Sequence, residues 1–192
     1  GKAVLGTVPV EADGSAYFRV PSGVTLFFQA LDARGMAVQT MRSATHVQPG
    51  QTLRCTGCQD PRKDTPPPSA SLLASLREPS KITVGPEGSW TMRFDRLVQP
   101  LLESQCVNCH NPKSDDLEAA KFDLTPEHAY KSLTLAGQPS LNDLVVSAYR
   151  DGISTEGHNP AVQSAVLRKL TEPAGHAGVK LDRASLDRLV TW

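Results

Sequence analysis

An excess of charge of either sign is what this sequence lacks first. Its 192 residues carry 20 Lys and Arg against 20 Asp and Glu, for a formal net charge of zero. That balance gives no basic footprint for nucleic acid and no polybasic patch for a membrane surface. Long hydrophobic runs are missing too. The longest apolar stretches, such as Val24 to Ala30 with its Thr25 and Gln29, fall well short of the ~20 residues a membrane-spanning helix needs. Neither nucleic acid nor a membrane span is therefore expected. No Ser-His-Asp order, Gly-rich phosphate loop or paired-carboxylate site stands out. No leader precedes Gly1-Lys2-Ala3, and Trp192 falls inside a helical pattern, so the sequence reads as a piece of a longer protein. Methionine is scarce: Met36, Met41 and Met92 are the only ones. What is present is an ordinary globular balance, 39% hydrophobic and 21% charged, with room for one or two small domains.

The organisation reads as α+β: a small all-β, sandwich-like domain over residues 1–58, a Pro-rich linker over 59–90, and a mostly α domain over 91–192. Alternation in Ala16-Tyr17-Phe18-Arg19-Val20 predicts a half-buried strand, and Pro21-Ser22-Gly23 a turn. Val24 to Leu31 predicts a second strand, Asp32-Ala33-Arg34-Gly35 a hairpin turn, Met36 to Met41 a third strand and Thr45 to Val47 a fourth. Pro66-Pro67-Pro68 marks the linker, with a short helix at Ser71 to Arg77. From there Phe94, Leu97, Val98, Leu101 and Leu102 recur at helical spacing, and Pro100 fits best near a helix start. Later helices are expected over 126–132, 141–146, 161–170 and 182–192, the last capped by Asp182. The long loops between them are unusual for a compact helical domain, and a large prosthetic group filling the core would account for them.

The four cysteines form two C-x-x-C pairs, Cys55/Cys58 and Cys106/Cys109. His110 directly follows the second pair. Cys106-Val107-Asn108-Cys109-His110 is C-x-x-C-H, the attachment signature of c-type haem. Two thiols at this spacing reach the two vinyl groups of a porphyrin, and the adjacent imidazole lies beneath the iron. Zinc would need further ligands at finger-like spacing, and a thioredoxin-type motif would need a βαβ setting; the sequence offers neither. A sixth ligand of methionine would be expected after the motif, where there is none, so bis-histidine ligation is favoured. The candidates are His128 at a helix start, His158 in a polar Gly-rich loop, and His176 in Gly175-His176-Ala177-Gly178, whose small neighbours would allow backbone close to a flat ring. His128 and His158 also have an ordinary reading as solvated side chains.

Longer stretches carry a family resemblance. Leu5-Gly6-Thr7-Val8-Pro9-Val10, Asp13 to Phe18, Gln29-Ala30-Leu31-Asp32 and Met41-Arg42-Ser43, followed by the first cysteine pair, resemble the middle domain of the hydrazine synthase alpha subunit and of its multidomain cytochrome relatives. Pro79-Ser80-Lys81-Ile82, Val98 to Leu102 and Cys106 to His110 resemble the cytochrome c-like domain that follows there. Gly175-His176, Val179-Lys180-Leu181 and Arg188 to Trp192 resemble its closing segment. The resemblance implies an exported, periplasmic protein and iron ligation by His110 and His176 from both sides. It also implies a haem at the first cysteine pair, ligated by a tyrosine a few residues on. This chain departs from that pattern: Gln59 follows Cys58, and Asp60 through Thr65 contain no tyrosine. Cys55 and Cys58 then read as a local disulfide, as a haem site with a distant ligand such as His46, or as a metal site or free thiols. His46 by itself reads as a half-exposed strand residue.

The expectation is thus one haem c, with two as the alternative, and an electron carrier more than a catalyst. The alternatives are a fragment of a multihaem oxidoreductase and a structural unit of a cytochrome assembly. Partners would be a redox protein or flanking domains of a longer chain. The acidic stretch Ser114-Asp115-Asp116-Leu117-Glu118 reads as a solvated loop, or as a face toward a basic redox partner. Trp90 and Trp192 read as packing residues, with Trp192 a candidate to lie against the haem.

Overall fold

A computed structural model describes residues 1–57, 71–152 and 157–192. The fold is mixed α+β, and the chain divides into two compact units. One comprises residues 1–4, 30–39 and 86–192; the other comprises 5–29 and 40–85. Cys58, Gln59 and the Pro66–Pro68 run lie outside the described residues.

Among the described residues the regular sheet is a single hairpin, β1 (Gln29–Leu31) with β2 (Ala37–Thr40). Its turn forms where Asp32 and Gly35 predict it. The Asp32 carboxylate accepts from the backbone N–H groups of Arg34 and Met36 at 2.8 and 2.9 Å, and Gly35 takes a φ of 83° that a side chain would resist. The sandwich expected over 1–58 is not formed among the described residues. The segment at Ala16–Val20 makes one parallel bridge, Phe18 to Ser80, and Leu26 makes one antiparallel bridge to Thr45. The alternation still assigns the faces, since Phe18 and Val20 are half-buried while Tyr17 and Arg19 are exposed. What is missing is apolar mass to stack two sheets: in this unit Leu26 and Ala74 are the buried hydrophobic residues among those described.

Residues 71–85 fall in the span read as linker, yet they pair with the N-terminal strands. Thr7 bridges Thr83, and Ser80 bridges Phe18. The short helix expected at Ser71–Arg77 is a single 3-10 turn at Leu73–Leu76. Asp13 and Ser15 cap it from far away in sequence, accepting from the N–H groups of Leu73 (2.8 Å) and Ala74 (3.0 Å). Arg77 then donates to Glu11 at 2.6 Å and to the Ser80 hydroxyl and Glu78 carbonyl, each at 2.9 Å.

The other unit is built on short helices: α1 (Phe94–Leu97), α2 (Gln99–Gln105), α3 (Leu117–Lys121), α4 (Ala129–Thr134), α5 (Leu141–Asp151), α6 (Pro160–Gln163), α7 (Ala165–Leu170) and α8 (Arg183–Thr191). The apolar stripe from Phe94 forms two helices, broken at Val98, with Pro100 near a helix start as expected, in the first turn of α2 where its missing N–H costs nothing. The helix expected over 161–170 likewise divides at Ser164, a buried residue whose hydroxyl accepts from Leu167 N–H and starts α7 afresh. Ser140 and Asp143 form a reciprocal capping box that starts α5, and Asp182 caps α8 through Ser185. Helix α3 was not foreseen; Asp116 creates it by accepting from Glu118 and Ala119.

Leu97 and Val98 are fully buried at the centre of this unit, surrounded by Met36, Leu101, Leu102, Leu124, Leu133 and Leu189. Trp192 packs edge-on against Phe94 and Tyr130, with centroids 5.2 and 5.8 Å away, so its role here is packing. Trp90 differs: it is 64% exposed and donates its indole N–H to the Val4 carbonyl at 2.9 Å. No helix among the described residues is long and apolar enough to cross a membrane.

Candidate functional site

The C-x-x-C-H sequence grows directly out of α2. Leu101 and Leu102 anchor the helix in the core, and its hydrogen-bonding pattern runs on past its end. Cys106 and Val107 N–H donate to the Leu102 carbonyl at 2.8 and 2.9 Å, and Cys109 and His110 N–H donate to the Cys106 carbonyl at 3.1 and 2.9 Å. The tight turn puts Cys109 and His110 on one cleft, while Cys106 packs against the core. Asn111 closes it, donating its amide to the Val107 and Asn108 carbonyls. Cys106 is half-buried and Cys109 exposed. Burial, with a smaller effect from the neighbouring Cys109, pushes the Cys106 thiol up, so it stays protonated at neutral pH.

His110 is held from several directions. Its Nδ1 lies 3.2 Å from the Ala119 carbonyl in α3, an oxygen that can only accept, so Nδ1 donates and Nε2 is left as an acceptor facing His176. Its own carbonyl accepts from Leu124 N–H at 3.0 Å, and Phe122 presents an edge to the imidazole at 5.7 Å and 82°. Facing it is His176. The two Nε2 atoms are 3.4 Å apart, the ring centroids 5.7 Å apart, and the rings are within 22° of parallel. The centroid distance exceeds the nitrogen distance by about the width of one imidazole. The rings therefore do not overlap face to face; they point at one another nitrogen to nitrogen.

His176 reaches that position on a two-residue hairpin. Its N–H and carbonyl pair with Val179 at 2.9 and 2.8 Å, while Ala177 and Gly178 turn at φ of 48° and 82°. His110, His176, Cys109, Ala119 and the acidic residues Asp115, Asp116 and Glu118 line a cleft of about 650 Å³, within the range of small-molecule and cofactor sites. The Asp116 carboxyl is held below its ordinary value by the N–H groups of Ala119 and Glu118, with a smaller effect of the nearby His110. Among the described residues no group of three or more His, Cys, Asp or Glu side chains converges to hold a bare metal ion. The two imidazoles meet, and the two thiols do not join them.

The other candidate histidines are elsewhere. His128 is 61% exposed and its Nδ1 pairs with Asp123 at 2.9 Å. His158 is exposed, and its carbonyl accepts from the Gln163 amide. His46 is exposed and belongs to the other unit. Cys55 is exposed, and its pairing with Cys58 lies outside the described residues. Sequence reasoning missed Asp116, Ala119, Phe122 and Leu124 as supports of His110. The signal for the first two was present in an Asp before Leu117 and two alanines, which is a helix-start pattern.

No curated protein and no solved structure matches the chain. A family match does exist and covers the N-terminal part. Over residues 1–60 the chain is similar to the family described as the hydrazine synthase alpha subunit middle domain.

Proposed function

We propose that residues 91–192 form a cytochrome c-like domain holding one covalent haem c, with thioethers from Cys106 and Cys109 and with His110 and His176 as the two iron ligands. We place it within a larger, exported multihaem oxidoreductase related to the hydrazine synthase alpha subunit. The observation carrying this reading is the nitrogen-to-nitrogen approach of His110 and His176 across 3.4 Å, beside a C-x-x-C whose thiols stand apart from it. Metal–imidazole bonds run at about 2.0–2.1 Å, so a metal held by both nitrogens needs the gap to open by roughly 0.6–0.8 Å. A tetrahedral site would instead draw the thiols to the same point as the imidazoles. The donor set fits a haem that would be held covalently by the Cys106 and Cys109 thiols and ligated by the His110 and His176 imidazoles.

Such a group supplies one-electron chemistry when bound. The chain's own contribution is orientation. The Ala119 carbonyl accepts from His110 Nδ1–H and so leaves Nε2 as the atom that would bind the iron, and such outer partners raise the basicity of a ligating imidazole. The acidic residues around the cleft would favour a basic redox partner or a basic face of a flanking domain. The match over residues 1–60 supports the larger oxidoreductase over a free-standing electron carrier. It also keeps open a second haem at Cys55 and Cys58, against which Gln59 weighs.

Mass spectrometry of the chain matured with haem-attachment machinery tests this reading. One added haem is expected; two would assign the second to Cys55/Cys58, and none would overturn the proposal. The reduced spectrum should be low-spin, and His176→Ala should make it high-spin. A variant that stays low-spin would remove His176 from the ligand set.

A further inference from the structure

The two facing histidines are held unequally. His110 is bonded through its backbone N–H, its carbonyl and its Nδ1 to Cys106, Leu124 and Ala119, and Phe122 packs on its ring. The backbone of His176 pairs with Val179 alone, inside its own hairpin. Among the described residues its side chain is recorded against one partner, His110. The hairpin is itself strained. Ala177, at a φ of 48°, is the only non-glycine residue at positive φ among those described. A turn with both central residues at positive φ ordinarily takes Asn-Gly, and alanine there carries the left-handed penalty of a Cβ. Gly175 has a φ of 70°, and a Cβ on it would stand 2.5 Å from the Val179 carbonyl oxygen. Ala177 and Gly178 are exposed, and the N–H of Gly175 bonds only as far back as Glu172.

We infer that His176 is the exchangeable member of the pair. The hairpin releases it while His110 stays fixed, and the position it leaves admits a small neutral ligand, such as carbon monoxide, from the cleft. This rests on the haem reading above. In the exchange the bond from His176 Nε2 breaks and a bond to the carbon of the incoming ligand forms. No electron is transferred, and the freed Nε2 lone pair turns to water.

Two measurements on the covalently loaded protein test it. In native-state hydrogen exchange, the amides of His176 and Val179 should exchange faster than those of His110 and Leu124, although all four are hydrogen-bonded. Equal protection would overturn the inference. The reduced protein under carbon monoxide should bind it. Ala177→Asn, which suits the turn, should slow binding roughly five-fold by relieving the left-handed strain that favours release. Gly175→Ala, which crowds the turn, should speed it. No carbon monoxide binding, or a rate unchanged in Ala177→Asn, would overturn the inference. If Gly175→Ala fails to fold, the native chain and Ala177→Asn carry the test. Absence of covalent haem by mass would defeat the haem reading instead, so the two failures are distinguishable.

Discussion

At the scale of single residues, what the sequence reveals depends on whether a side chain's role is set by its neighbours in the chain. Cys106, Cys109 and His110 stand out in the sequence because a C-x-x-C-H pattern is defined by spacing alone. His176 is partly legible, through the small residues beside it and the family resemblance, and the structure sets it 3.4 Å from His110. Ala119 is invisible by composition, because what it contributes is a carbonyl whose direction depends on a helix not yet known to exist. Leu97, fully buried at the end of α1 just ahead of α2, helps support the helix that carries the motif. Leu97→Ala should destabilise the chain by about 2–5 kcal/mol in denaturant unfolding, since the cavity lies where the core cannot collapse. Val145→Ala, at a residue 49% exposed, should stay within about 0.5 kcal/mol.

Among the secondary-structure elements, caps decided what hydrophobic periodicity could not. Periodicity joined Ala161 to Leu170 into a single helix, which the cap at Ser164 divides, and gave Phe94 to Leu102 one helical spacing that the backbone breaks at Val98. Asp116, read as part of a solvated acidic loop, starts α3 and thereby places the Ala119 carbonyl. The strands were overestimated because β-forming residues alternate correctly but find few partners. The aspartate caps also set a pH response. Asp116 and Asp182 are lowered first by backbone N–H groups, and Asp143 by the Ser140 side chain. A carboxyl lowered by folding stabilises above its unfolded value, about 3.9, and loses that contribution as pH falls through the folded value. Thermal stability should therefore be flat from neutral pH to about pH 5 with respect to these groups and fall below about pH 4. Asp116→Asn with Asp182→Asn should flatten the acid limb. An acid limb of unchanged steepness would place the sensitivity elsewhere.

For the molecule as a whole, the two units differ in how they are stabilised. The helical unit has a continuous core from Met36 to Leu189. The other depends on polar ties between distant segments: Asp13 and Ser15 to the turn at Leu73–Leu76, and Arg77 to Glu11 and Ser80. Composition could not announce those ties, since each partner reads as an ordinary surface polar residue until the chain has folded. They also mean that the end of the family match and the border of folding do not coincide. The family match ends at residue 60, while Thr7 and Phe18 find their bridging partners at Thr83 and Ser80. A fragment cut at residue 60 would inherit the recognisable part and leave its edges raw, open to pairing with copies of itself. A fragment of residues 1–60 should therefore aggregate in sedimentation under conditions in which the whole chain stays dispersed. The stretch that matches the family model needs, in this chain, a borrowed hem to close.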